Sequence, residues 1–301
     1  MCFIGQQHVF SEGEETLKKL KGVSINAKQI ERVCHHYGSL IEKEEKALID
    51  ENVFRTYKQE QANKTHYAML DGAMYLTRED SWKESKLGRI FCADENVKIS
   101  KNRGIISKST YVSHLGSSKE FFPKFEYHLD GLKSIVIIAD GDKWIWNWAD
   151  DFYPDATQLL DFYHAKEHLC QFAIIHFNDK KQRHKWIEKQ CKTLLEGDVT
   201  DVIQAIKVLP FGSKKKEKTK ENLINYCEKN RKRMNYKAFI KRGLLIGSGA
   251  IESAHRNVLQ QRMKLSGQHW TKKGFQQIAN LRTVYKSNNA HKITELTRIA
   301  A

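Results

Sequence analysis

Ser134-Ile135-Val136-Ile137-Ile138-Ala139-Asp140 is the stretch on which the reading of this chain turns. Four consecutive β-branched residues inside an apolar run of this length predict a strand buried on both faces. Asp140 falls at the carboxyl end of that strand and opens Asp140-Gly141-Asp142 ahead of a Trp-rich helix. A carboxylate there is costly to desolvate unless something cationic meets it. Two other acids stand in comparable settings: Asp71 in Tyr67-Ala68-Met69-Leu70-Asp71-Gly72, and Glu252 in Gly247-Ser248-Gly249-Ala250-Ile251-Glu252-Ser253. Three such carboxylates, far apart in sequence on a chain of net charge +15, point to metal-dependent chemistry on a polyanion.

Outward from this strand, the pattern predicts strands over 65–77, 86–92 and 110–114 and a short helix over 121–129, interrupted near Pro123. A helix through Trp144, Trp146 and Trp148 follows, then a fifth strand over 156–162. Three strands in a meander, a helix, then two strands with helical crossovers is the order of a ribonuclease-H-like core. The expected class is therefore α/β, a mixed five-stranded sheet with helices, carrying an all-α insertion and a helical N-terminal segment. Residues 13–45 read as two helices with Ser24 or Asn26 as N-cap of the second. With Lys28 and Arg32 exposed they form either a helix-turn-helix fragment or an ordinary helical hairpin. Beyond His164 the chain reads as helical, with breaks at 197–198, 210–216 and 243–249. The expected domains are 1–62, a core made of 63–165 and 244–290, and an insertion over 166–243.

Composition narrows the function. A chain of 301 residues with 40% hydrophobic content buries a full core. No apolar stretch is long enough to cross a membrane, and no secretory leader pattern opens the chain. Six cysteines without CxxC pairing argue for reduced thiols in a cytosolic protein. A sequence pI near 9.4 suits a nucleic-acid partner, although membranes and acidic proteins also attract basic chains. The run Lys214-Lys215-Lys216 and the cluster Arg231-Lys232-Arg233 fall in the inserted segment, where they suit DNA phosphates. A solvated face is their plain alternative.

Cutting a phosphodiester without a covalent intermediate needs an activated water or hydroxyl and a stabilised leaving oxygen. Two divalent ions about 4 Å apart provide both and need converging carboxylates. Asp71, Asp140 and Glu252 answer that need from the first strand, the fourth strand and a late helix. Their surroundings resemble a known family. Asp71-Gly72-Ala73, Ala139-Asp140-Gly141-Asp142, Asp161-Phe162-Tyr163-His164 and the Gly247 to Ser253 string resemble the motifs of bacterial insertion-sequence DDE transposases. Gln261-Arg262-Met263-Lys264-Leu265-Ser266-Gly267-Gln268-His269-Trp270 and Asn280-Leu281-Arg282 are also similar to that group. The resemblance spans roughly residues 65–288, with Mutator-type transposases as the nearest relatives in kind. It implies a ribonuclease-H-like core with a helical insertion before the Glu, for which the 112 residues from Asp140 to Glu252 leave room.

Carried over residue by residue, the resemblance makes Asp71, Asp140 and Glu252 both catalytic and metal-holding, with two Mg2+ or Mn2+ ions. Asp71 and Asp140 would hold both ions and Glu252 one. Plainer readings exist for each: a turn Asp before Gly for Asp71, and a first-turn Glu for Glu252. Asp142 competes with Asp140, and helix capping is its alternative role. Asp161 and His164 match a (Cys/Asp)-x-x-His element that is structural or supports the ligands. His164, His168 and Cys170 fall short of a full zinc set. His255 and Arg256, three and four residues past Glu252, are expected on its face, His255 bonding a carboxylate or DNA and Arg256 clamping a phosphate. Arg262 and Lys264 would extend a DNA-binding surface, while Trp270 reads better as core.

The expected activity is metal-dependent cleavage at element ends followed by strand transfer into target DNA. The alternatives are a structure-selective nuclease of the same fold and a catalytically idle DNA-binding protein derived from a transposase. Partners would be element-end and target DNA and further copies of the chain assembled on DNA, with no membrane, in the bacterial cytoplasm near the nucleoid. Only about 64 residues precede the first catalytic strand, where the family carries a longer DNA-binding region. The resemblance thus leads to the expectation of a truncated copy, a deletion relic or a later start site.

Overall fold

Asn26 begins the longest helix because its side-chain oxygen accepts from the Gln29 amide at 2.8 Å, satisfying one of the orphan donors of the first turn. A computed structural model of the chain describes residues 1–51, 53, 55, 57–100 and 103–299. Its helices before the sheet are α1 (Cys2–Gln7), α2 (Phe10–Lys21), α3 (Ala27–Asp50) and α4 (Gln59–Ala62). The strands are β1 (Thr65–Thr77), β2 (Ser81–Cys92), β3 (Asn96–Ser100), β4 (Arg103–Ile106), β5 (Thr110–Leu115), β6 (Ser134–Ala139) and β7 (Thr157–Leu160). Helices α5 (Ser118–Glu126) and α6 (Lys143–Phe152) lie between β5 and β7. Then come α7 (Phe162–His176), α8 (Lys180–Glu196), α9 (Val199–Lys207), α10 (Lys214–Lys229) and α11 (Tyr236–Lys241). The chain ends with α12 (Gly249–Ala254), a π-helical segment His255–Gln260, α13 (Gln261–Met263), α14 (Lys272–Lys286) and α15 (His291–Ile299).

The class is mixed α/β, with one five-stranded sheet in the order β5-β2-β1-β6-β7 and a separate β3-β4 hairpin. The chain divides into two compact units, Met1–Ile135 with Gly249–Ala301, and Val136–Ser248.

In the first unit β1, β2 and β5 form an antiparallel meander in which Asp71 pairs with Leu87 and Leu87 with Ser113. The edge of β5 is not left bare. Gln276 of α14 accepts from the Leu115 amide at 2.8 Å and donates to the Ser113 carbonyl at 3.1 Å. The Tyr111 amide donates to the Ser287 hydroxyl. These side chains supply the partners a further strand would have given. Helix α14 is buried continuously from Gly274 to Val284, so its polar residues must bond internally, and Asn280 does so to the Gly38 carbonyl. A Cβ at Gly38 would run into the Gln277 backbone, so glycine sets how closely α3 and α14 approach.

In the second unit β6 and β7 run parallel, Ala139 opposite Leu160, joined by α6 as the crossover. Arg233 ties the helices to this pair. It makes two 2.7 Å bonds to the Asp150 carboxylate, donates to Gln158, and lies 4.5 Å over the Trp146 ring.

Strands β1 and β6 have the residues expected. Strand β2 begins five residues before its expected start, and α5 keeps Pro123 inside it. The β3-β4 hairpin departs from the sequence reading. Its outward residues Val97, Ile99 and Ile105 are exposed, so no buried face marks it in the pattern. Residues 264–271 also interrupt the expected helix: Trp270 turns back to bridge Thr77 and receives the Arg78 amide.

Candidate active site

Asp71 stands in the middle of β1. Its Oδ1 accepts from the Gly72 amide at 2.7 Å, and its Oδ2 lies 3.5 Å from His255 Nε2. Asp71 keeps 32% of its side-chain surface, whereas His255 keeps 4%. Both His255 ring nitrogens are buried without a hydrogen-bond partner. Burial drives this histidine down to about 4, outweighing the pull of the Asp71 main chain in the other direction. The ring is therefore neutral at pH 7, and its contact with Asp71 is not an ion pair.

Glu252 lies on α12 in the same unit and is exposed, as is Arg256. The start of this helix is pinned by Arg89 of β2, whose guanidinium donates to the Ala250 carbonyl at 2.7 Å. Its inward stripe is Ile251, Ala254, His255, Val258, Leu259, Arg262 and Met263. The expected common face for Glu252, Arg256 and His255 is thus corrected: His255 points into the unit while the other two point out. The π-helical widening begins at His255, directly after α12.

Asp140 and Asp161 belong to the second unit and sit in different surroundings. Asp140 follows β6, accepts the Asp142 amide on Oδ1 at 3.0 Å, and its main-chain carbonyl accepts from Trp146 Nε1. Burial pushes its carboxyl up; the Asp142 amide and His164 pull it down, while Asp142 and Asp161 add to the rise. Asp142 occupies the N-cap position of α6 but makes no side-chain cap bond, and instead receives Trp144 Nε1.

Asp161 is almost fully buried. It caps α7 through the Tyr163 amide at 2.7 Å and receives both the amide and the hydroxyl of Ser248. Gly247 is needed beside it, because a Cβ there would meet the Tyr163 ring at 2.7 Å. Two of the strings singled out in the sequence, Asp161 to His164 and Gly247-Ser248, are therefore two halves of one clamp. His164 lies 3.9 Å from Glu167 and packs against His168.

Sequence reasoning passed over Tyr226. Its ring packs tilted against His168 with centroids 4.1 Å apart and would block a Cβ at Gly141, while its hydroxyl is buried without a partner. Burial raises this phenol, with Asp140 and Asp161 adding to the rise. Helical spacing of Tyr226 with Leu223 and Cys227 marks it only as core.

The expected DNA-facing cations divide. Lys214, Lys215, Lys232, Arg231, Arg256 and Lys264 are exposed. Arg231 is paired with Glu228 at 2.6 Å, and Lys216 donates to the His176 carbonyl. Arg262 corrects the expectation outright: it is 1% exposed, donates to the Gly5 carbonyl, and is sandwiched by Phe10 and Trp270. Its place in the buried stripe leaves Nη1 without a hydrogen-bond partner, between the two aromatic rings. Arg233 is likewise committed to Asp150 and Gln158, and Trp270 is core as expected.

Carboxylate oxygens on Asp71, Asp140 and Glu252 suit a hard divalent cation in kind. Among the described residues no group of three or more His, Cys, Asp or Glu side chains is drawn together closely enough to hold an ion. No helix among them is long and apolar enough to cross a membrane. No curated protein matches the chain. A family model matches residues 117–298, more than half of its length, and the chain belongs to that family, the uncharacterised protein family UPF0236.

Proposed function

We propose that this chain is a DNA transposase of the DDE type, built on a ribonuclease-H-like core and dependent on divalent metal. The observation that carries the reading is Asp140: a half-buried carboxyl ending an apolar strand, raised by burial, capping no helix and meeting no formal ion pair among the described residues. A structural carboxylate in such a place is normally bonded as Asp161 is. The strand order β5-β2-β1-β6-β7, three antiparallel strands followed by a parallel pair, supports the core assignment.

In this reading Asp71 and Asp140 supply fixed carboxylate oxygens and Glu252 an adaptable one, on a helix whose start Arg89 anchors. Bound divalent ions would activate the attacking oxygen and stabilise the leaving one. His255, neutral and buried, fills the space beside Asp71 without neutralising its charge. Asp161 holds the Ser248 end of the segment entering α12. Arg256, exposed one turn past Glu252, is available to a phosphate.

Strand joining separates this activity from plain nuclease action. A labelled DNA carrying the sequence that flanks the coding region, incubated with plasmid target and Mg2+, should yield covalent joint molecules. Cleaved but unjoined DNA would make the protein a nuclease; intact DNA would overturn the catalytic reading.

A further inference from the structure

The segment Lys207 to Lys220 presents an aromatic side chain that stands almost wholly outside the core. Phe211 is 91% exposed and Val208 79%, at the turn between α9 and α10. An exposed phenylalanine is unremarkable on a loose loop, but this turn is held from several sides. Lys220, itself buried, donates to the Leu209 carbonyl at 2.8 Å and lies 5.4 Å from the Phe211 ring. The Gly212 amide donates to Glu217 at 2.9 Å. Lys216 reaches the His176 carbonyl. The ring is therefore held outward, at the cost of leaving its apolar surface in water.

Its surroundings state which partner suits it. Residues 207–220 hold six lysines and one glutamate. That glutamate is turned inward onto Gly212, and Lys207, Lys214, Lys215 and Lys218 are exposed. Ser213 already caps the Lys216 amide, so an anion here meets lysine side chains rather than free backbone donors. A flat apolar ring ringed by cations complements a chain of phosphates whose bases are free to stack.

We propose that Phe211 is a stacking platform for an unpaired nucleobase, with Lys207, Lys214 and Lys215 seating the flanking phosphates. The knuckle thereby selects single-stranded or distorted DNA over intact duplex. This rests on the chain acting on nucleic acid, but not on Asp71, Asp140 or Glu252.

The test is equilibrium binding of the full chain, without metal, to a fluorescent oligothymidylate of about 20 nucleotides and to a blunt duplex of similar length. Phe211→Ala should weaken single-strand binding about tenfold and leave duplex binding unchanged, with Phe211→Trp restoring the loss. Lys214→Gln with Lys215→Gln should weaken both and lower the salt dependence. Equal single-strand affinity for wild type and Phe211→Ala would overturn the proposal. So would Phe211-dependent capture by phosphatidylglycerol vesicles with no Phe211 effect on the oligonucleotide, which would make the knuckle a membrane contact. Because no cleavage is read, an inactive enzyme leaves this result standing, and a failed stacking test leaves the catalytic reading standing.

Discussion

Asp140 and Asp161 carry the same carboxyl in one unit and should respond to mutation in opposite ways. Asp161 satisfies two amides and a hydroxyl in a buried place, so Asp161→Ala should cost about 2 kcal/mol or more of stability. Asp140 is raised by burial, so folding opposes its ionisation; Asp140→Asn should leave the melting temperature at pH 8 unchanged or higher. Thermal melts of the two variants decide it, and a large drop for Asp140→Asn would make that residue structural. His255 sets a pH dependence. Its folded value of about 4 lies below the ordinary 6.5, so the unfolded chain takes up the proton first. Stability contributed by the neutral ring is complete above pH 6.5 and is lost as pH falls toward 4, on the order of 3 kcal/mol. Denaturant titrations at pH 7 and pH 4.5 should show a smaller decline for His255→Asn than for wild type; equal slopes would refute the assignment. The place of Asp140 at the end of a buried strand was legible because its neighbours are so apolar. The inward turn of Arg262 was legible too, from Ile251, Ala254, Val258 and Leu259 at helical spacing, but a motif-based reading put the guanidinium in solvent.

Among the elements, the segment entering α12 depends on one close contact. Gly247 lies against Tyr163, and Gly247→Ala would force the ring or the segment to move. A loss of roughly 1–3 kcal/mol is expected, read by denaturant unfolding, with partial recovery on adding Tyr163→Ala. No recovery in the double variant would place the strain elsewhere. Strands β1 and β6 could be read from sequence because their burial forces apolar or alternating patterns. The β3-β4 hairpin could not, since it presents exposed apolar residues on its surface. Nor does periodicity distinguish the π-helical turn at His255 from regular helix, because only its hydrogen-bond pattern differs.

For the whole molecule, a net charge of +15 and an acidic trio drawn from distant parts of the chain motivate the proposal that the protein binds DNA and cuts it with divalent metal. On that proposal charge alone supports binding, so binding should survive loss of any single carboxylate whereas cleavage should not. The most direct measurement is conversion of supercoiled plasmid to nicked or linear form by the purified chain with Mg2+ or Mn2+, with a chelator control, alongside Asp71→Asn, Asp140→Asn and Asp142→Asn. Metal-dependent nicking should fall by orders of magnitude in Asp71→Asn and Asp140→Asn and retain most of its rate in Asp142→Asn, with DNA affinity intact throughout. Undiminished nicking by Asp140→Asn, or an essential Asp142 beside a dispensable Asp140, would contradict it.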